Sequence, residues 1–445
     1  MYAVSLLVTI GAILQLIVTG NSPLLIVGRL ILGAGVGIAS NAVTLYLSEI
    51  PPAEIRGSMV SSWQLFLALG QVLGAGVAQG TKDYSSTFSY RFPIALNIAI
   101  CLTIVCGMFF VPESPRWLVS KGRDEEAERA FMKVHKGNEE YDLQSEMKVI
   151  HNAMAAEAHE SGGDGSSKWG DIFKGPERRK FFGAFGILVC QQIGGVQFIF
   201  SYGTVFFKDV GMDDPFLVTM ICDIVEVLGV IVSFALVNRY GRRPLLITTT
   251  SAMAAVLLVM GCLGTVKNRS PAMNTAIASM IIIYVFIFNL AWGGLAWVIA
   301  TELSAGRNRT KIMGVATASF WVAAWAVTFT LPYLYNPSNE GGAGLGPMVG
   351  FIYFGGTIIG LLFVYFYIPE TLGRSLEEIT LLMELEVPTR AWKSYQTTLD
   401  NKPAEQWKAE EKGSRFAGRN KGAFVENAGE EKAVGGGALQ RTDSD

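Results

Sequence analysis

The chain has 445 residues, of which 50% are apolar and only 17% charged, and its formal net charge is −2 at pH 7. A soluble protein carries about a quarter charged residues. The scarce charges here are also clustered, which points to long apolar spans separated by polar loops. Nucleic acid is excluded as a partner by the near-neutral balance and the lack of a basic stripe. The three histidines (His135, His151, His159) fall in one polar stretch, and the five cysteines lie in apolar runs without a CxxC pair. That leaves no metal site, disulfide framework or cofactor to expect. No nucleophile–base pair or phosphate loop stands out, so the chain does not read as an enzyme.

Taken in order, stretches of about 20 residues with few charges mark transmembrane helices. Ten are expected, over residues 2–20, 24–46, 58–80, 92–111, 180–207, 215–237, 244–264, 276–300, 312–334 and 347–368. Residues 1–28 hold no Lys or Arg, so the basic start of a cleavable signal is missing. The fold class is an all-α polytopic membrane protein. Residues 1–111 form an N-terminal bundle of four helices and residues 180–369 a C-terminal bundle of six. Between them, 112–179 is a charged linker with amphipathic helices expected at 123–136 and 139–159. The tail, 370–445, opens with a helix at Leu376–Leu385 and then becomes polar, glycine-rich and largely disordered.

Orientation follows from the positive charges. On the side of the central linker, the short loops and linker ends carry fifteen Lys and Arg residues, including Arg56, Arg242, Arg243, Arg307 and Arg309. The other side carries five: Lys82, Arg91, Lys208, Lys267 and Arg269. This asymmetry places the linker and both termini in the cytoplasm.

The chain also repeats itself. Glu49 precedes Arg56 by seven residues, and Glu302 precedes Arg309 by seven. Pro112-Glu113-Ser114-Pro115-Arg116 closes the first set of helices, and Pro369-Glu370-Thr371-Leu372-Gly373-Arg374 closes the second. The turn Arg239-Tyr240-Gly241-Arg242-Arg243-Pro244 has no counterpart in the first half, and neither do the two spans before it. The repeat therefore predicts a parent fold of twelve helices, of which ten are present here. A protein built with ten helices is the other reading. Duplicated halves around a midplane site are a common transporter plan.

At these residues the chain resembles the sugar porters of the major facilitator superfamily, in particular the fungal hexose and α-glucoside carriers, over about residues 1–390. Gly28–Gly37, Tyr46-Leu47-Ser48-Glu49 with Arg56-Gly57, the PESPRW run 112–117, Gln191-Gln192-Ile193-Gly194-Gly195-Val196-Gln197 and the PETLGR run 369–374 match family motifs in order. The resemblance implies a secondary transporter moving a sugar by alternating access, with protons as a candidate co-substrate, in the plasma membrane and as a monomer. It implies sugar contacts at Gln64, Gln191, Gln192, Gln197, Trp297 and Trp321. Amides suit a polyhydroxylated ligand because they donate and accept without net charge. The competing role for these amides is helix–helix bonding.

Several departures from the family pattern stand out. Gln197 replaces the usual Asn, Ser201 a Tyr and Phe320 an amide. Gly293-Gly294 replaces a Gly-Pro, so unwinding of that helix is expected to rest on glycine alone. The resemblance assigns Glu49, Arg56, Glu113, Arg116, Arg242, Glu302, Arg309 and Glu370 to a cytoplasmic charge network, with Glu49 expected to lack its partner here. Arg29, Asp223 and Glu226 are charges inside the membrane and hence candidates for proton coupling. Asp223 and Glu226 share a helical face. The alternatives are a transporter-like sugar sensor and an inactive truncated product.

Overall fold

The computed structural model describes residues 1–17, 22–51, 53–84, 86–134, 143–144, 147–148, 150–152, 168–266, 268–337, 341–393 and 395. Residues Met1–Tyr395 form one compact unit, and Gln396–Asp445 are assigned to a second that lies outside the described residues. Among the described residues every regular element is helical. The first set is α1 (Tyr2–Ile17), α2 (Ser22–Glu49), α3 (Ala53–Thr81) and α4 (Phe88–Met108). The linker holds α5 (Pro115–Ser120), α6 (Asp124–Val134) and a 3-10 turn at Trp169–Phe173. The second set is α7 (Gly175–Ile193), α8 (Val196–Asp209), α9 (Pro215–Tyr240), α10 (Arg242–Gly264), α11 (Pro271–Leu303), α12 (Arg309–Tyr335) and α13 (Val349–Tyr367). A final helix, α14, covers Leu376–Glu384.

Local chemistry sets the helix starts. Ser114, Asp214 and Ser270 each accept a backbone N–H three residues on, and each is followed by proline at the first helical position. Ser375 and Glu378 form a reciprocal capping box on α14. Nine apolar spans among the described residues are long enough to cross a membrane, and α1 is a shorter apolar helix. At 29 residues α3 is about 43 Å long, more than the hydrocarbon thickness of about 30 Å.

Helix α11 is the innermost element: residues 291–305 are all buried. It touches α3, α7, α9 and α10, while α3 runs along α9 and α2 meets α12. Large apolar side chains such as Leu30, Phe66, Phe110 and Ile359 face outward. Such an apolar exterior suits lipid rather than water.

Three expectations need correction. The span expected as one helix over 180–207 is two, because Gly195 has φ +90° and breaks the ladder between α7 and α8. The expected unwinding at Gly293-Gly294 is absent, since α11 is continuous there. Those glycines instead let α3 approach: a Cβ on Gly294 would lie 2.9 Å from the Ser61 hydroxyl, and one on Gly293 3.1 Å from Gln64 Cγ. Order also extends further into the tail than composition suggests. Trp392 is fully buried and bonds the Val387 carbonyl, and Arg374 donates to the carbonyls of Trp392 and Tyr395. Burying an indole outweighs the polar composition around it. The described part of the first span is α1, Tyr2–Ile17, and residues 18–21 lie outside the described residues. The helix expected at 139–159 falls largely outside them too.

Candidate functional site

The contacts between the two sets of helices are arranged in layers along α3. Its inward stripe, Gly57, Ser61, Gln64, Gln71, Ala75 and Ala78, recurs at three-, four- and seven-residue spacing, which keeps one helical face. Each layer meets the second set with a different chemistry.

At the end near the linker the layer is charged. Arg242 donates to Glu302 at 3.3 Å, with both side chains almost fully buried. Its guanidinium lies against Gly57 of α3, where a Cβ would come within 2.8 Å of Nη2. Arg56 of α3 also acts electrostatically on Glu302. Glu370 accepts the backbone N–H groups of Arg242 (2.9 Å) and Arg243 (3.1 Å), an anion on the first turn of α10. From the other side, Arg309 donates to Ser48 at 2.5 Å and pairs with Glu49 at 3.7 Å. Ser114 donates to the other Glu49 oxygen at 2.6 Å. Glu49 is thus partnered, against expectation, because the second set supplies the cation. Arg116 has further contacts, and Glu113 is exposed beside the network.

The next layer is aromatic. Trp63 of α3 meets Trp297 edge-on at 6.4 Å, Trp297 packs on Phe320 at 5.0 Å, and Phe320 on Trp321 at 5.2 Å. The Trp321 indole N–H reaches Ser40 of α2 at 3.0 Å. The two tryptophans singled out by sequence are therefore joined through Phe320, the position where an amide was missing.

Above the aromatics lies a polar layer. Gln64 Nε2 donates to Glu226 of α9 at 2.9 Å and to Asn289 of α11 at 3.2 Å. Gln71 Nε2 contacts both Glu226 oxygens at 3.2 and 3.3 Å. Glu226 is wholly buried. Neither Gln71 nor Asn289 was anticipated. Gln71 was findable, since it lies seven residues after Gln64 and so two turns along the same face. Asn289 had no comparable marker.

Gln191 donates to the carbonyls of Trp292 (2.7 Å) and Gly293 (3.3 Å), which commits its nitrogen to binding α7 to α11. The Oε1 atoms of Gln191 and Gln192 are buried without a hydrogen-bond partner among the described residues. Gln197, just after the break at Gly194-Gly195, is half-buried.

Beyond this layer the helices part around a cavity of about 280 Å³, lined by α3, α8 and α9. That is just under the range of about 300–1,000 Å³ typical of small-molecule sites. Gln71, Asp223, Thr204 and Thr219 supply its polar wall, and Phe200, Phe207 and Phe216 its aromatic one. Of the residues expected from sequence, only Asp223 lines it. Gln71 joins the cavity to the Gln64–Glu226–Asn289 set. Arg29 is exposed on α2 and bonds to neither acid among the described residues.

At the rim of the cavity, Asp214 accepts from Gln79 of α3 (2.9 Å), from Lys82 just after that helix (2.6 Å) and from the Leu217 backbone. The Lys82 hydrogen bond, then those of Gln79 and Leu217, hold its carboxyl down from the ordinary 3.8 to about 2.

Comparison with known proteins agrees with this architecture. The family model for sugar (and other) transporters matches residues 1–383. The major facilitator-type transporter ecdD of Aspergillus rugulosus is 34% identical over 390 residues, covering 85% of this chain and 71% of that protein. The low-affinity glucose transporter HXT1 of Saccharomyces cerevisiae is 31% identical, covering 83% of this chain and 65% of that one. The high glucose sensor RGT2 of the same yeast is 33% identical, covering 85% of this chain and half of that protein. Among solved structures, the proton:xylose symporter XylE bound to 6-bromo-6-deoxy-D-glucose superposes with a TM-score of 0.71 at 24% identity, covering 86% of this chain and 82% of that one. XylE is a protein of the major facilitator superfamily, and its fold is the fold seen here. With the family model spanning most of its length, the chain belongs to the family of sugar (and other) transporters.

Proposed function

We propose that the chain moves a monosaccharide across the plasma membrane by alternating access, with the linker and both termini in the cytoplasm. One observation carries this reading: a cavity of about 280 Å³ ends on a polar layer bridging the two sets of helices, while the opposite end is closed by aromatic and charged layers. Orientation comes from the loop charges, and the cavity then faces the outside. A sugar entering it meets Gln71, Asp223 and the threonine hydroxyls first. To reach the Gln191–Gln197 segment it must take over bonds that Gln64 and Gln71 make to Glu226. Its hydroxyls can both donate to the carboxylate and accept from the amides, so the exchange costs little. Gln191, Gln192 and Gln197 then contact sugar from the second set, and Trp297 forms the floor. Opening toward the cytoplasm requires parting Trp63 from Trp297 and Glu49 from Arg309.

Protons fit the same site. Asp223 at the cavity wall and Glu226 one turn along α9 give a co-transported proton two adjacent acceptors, and Glu226 belongs to the layer that must rearrange. Intramembrane carboxylates mark such relays. The sensor reading draws support from the relative named as a glucose sensor. Radiolabelled hexose uptake in cells lacking their own carriers tests the choice. Saturable, competed uptake supports transport; binding without net flux supports the sensor instead.

A further inference from the structure

Arg309 carries the contact to Ser48 and Glu49, yet it begins α12 directly after the bent segment Ser304–Asn308. What fixes that segment is a buried lysine. Lys180, on the second turn of α7, is only 1% exposed, an unusual place for an ammonium group. Its Nζ donates to Glu177 Oε1 at 2.7 Å, and Glu177 Oε2 accepts from the Asn308 amide at 3.0 Å. Asn308 is itself buried and immediately precedes Arg309. The backbone wraps over the ammonium at Gly306, whose φ is +103° and where a Cβ would sit 3.1 Å from Lys180 Nζ. The linker grips the same segment. Arg307 donates to Asp171 at 3.1 Å, and Lys311 lies over the Trp169 ring at 5.6 Å. The neighbour of Asp171, Ile172, is buried in the main core.

Neither Glu177 nor Lys180 lines the cavity or meets the first set of helices among the described residues. A buried ion pair is weak evidence for stability, because desolvation offsets most of its attraction. Its value lies in the single geometry it imposes on whatever it bonds.

We propose that Glu177 and Lys180 form a positioning clamp that, through Asn308, holds Arg309 where it engages Ser48 and Glu49, and that the linker end at Asp171 reinforces it. The clamp rests on the transport reading above. It acts on the balance between the two access states and not on sugar contact. Removing it loosens the cytoplasmic closure, so fewer molecules present the outer site. If the outward-facing fraction falls from about 0.8 to about 0.2, the apparent affinity from outside weakens roughly 4-fold.

The test measures sugar uptake by the full chain as wild type, Glu177→Ala, Lys180→Met, Arg309→Gln and the Glu177→Ala/Arg309→Gln pair, normalised to protein at the membrane. The expected result is a KM raised about 4-fold in each single variant, with no further rise in the pair, because Glu177 acts through Arg309. An unchanged KM, or effects that multiply in the pair, overturns the clamp. Asn308→Ser stands in where Glu177→Ala does not reach the membrane. A second readout does not depend on transport. Spin labels at Ile55 and Thr310, on a background without native cysteines, report the separation of the cytoplasmic ends in purified protein. Lys180→Met is expected to lengthen that distance, and an unchanged distance overturns the proposal. Absence of uptake by the wild-type chain would count against the transport reading alone.

Discussion

Gln64 on α3 and Glu226 on α9 face each other across the boundary between the two sets of helices, joined by a 2.9 Å hydrogen bond with Gln71 on the same carboxylate. An amide can satisfy a carboxylate but cannot neutralise it. The bond is therefore sensitive to anything that changes the charge or the acceptor count of Glu226, whether a sugar hydroxyl or a proton. Replacing Glu226 by Gln removes the charge and leaves one acceptor oxygen. We expect the Glu226→Gln variant to exchange sugar across the membrane while losing accumulation driven by an inward proton gradient. Preloaded-vesicle exchange and gradient-driven uptake, measured side by side, check this. Accumulation at the wild-type level would remove Glu226 from any coupling role.

Gln191 and Gln192 are neighbours with different commitments. The nitrogen of Gln191 is engaged with α11, whereas among the described residues the buried Gln192 oxygen has no partner. Gln192→Ala is expected to weaken sugar binding by about 1–3 kcal/mol, roughly 5- to 150-fold, while insertion stays intact. Gln191→Ala should instead lower the thermal stability, since it unties α7 from α11. Equilibrium binding and melting temperature on both purified variants separate the roles. Equal effects on both quantities would show that the two amides do one job.

Arg242 and Glu302 form a pair whose side chains are 3% and 4% exposed. Removing one partner of such a pair leaves a buried charge and costs about 3–5 kcal/mol, more than the pair contributes when intact. Arg242→Gln should therefore melt well below wild type, and Arg242→Gln/Glu302→Gln should recover most of the loss. A double variant no more stable than the single one would mean that the pair does not hold the layer.

Much of this was legible in the sequence because membranes simplify the code. Apolar length gave the spans, and the paired Glu–x6–Arg spacing at 49–56 and 302–309 marked both halves of the charged layer. The cross-bundle partners were not legible. Nothing near Glu49 in the chain points to Arg309, 260 residues away, and only the fold brings them together. The break in the 180–207 span was not legible, because Gly194-Gly195 reads equally as close packing or as a left-handed turn. What decides is Tyr353, contributed by α13. The polar layer was half legible. Gln64 carried a motif position, but Asn289 is one of two asparagines in a largely apolar helix.

The outer tether has a definite pH dependence. The Asp214 carboxyl is held down from 3.8 to about 2, so its contribution is fully present above the ordinary carboxylate value and is lost as pH falls through about 2. Asp214→Asn should melt below wild type by a constant margin between pH 5 and 8, where the carboxyl is ionised in both folded and unfolded chains. The margin should narrow on acidification below about pH 4, where the unfolded carboxyl gains its proton. Melting curves across that range test it. A margin that first narrowed near neutral pH would point to another titrating group.

The turn between α7 and α8 makes the sharpest prediction about a single position. Gly195 has φ +90°, and a Cβ there would overlap the Tyr353 ring. Gly211 shares the conformation, with φ +86°, but nothing lies within 4 Å of its Cβ position. Gly194, next door, is right-handed with φ −65° and offers ordinary contacts of 3.5 Å. Three alanine substitutions thus separate three effects. Gly194→Ala should be tolerated. Gly211→Ala should cost only the backbone strain, about 1–3 kcal/mol. Gly195→Ala adds a clash with a buried ring to the same strain, and should either fail to accumulate or straighten the break and move Gln197 off the site. Folded yield, melting temperature and sugar binding rank the three. If Gly195→Ala behaved like Gly211→Ala, the ring of Tyr353 would not be what holds the helix broken, and Gln197 would not owe its position to that turn.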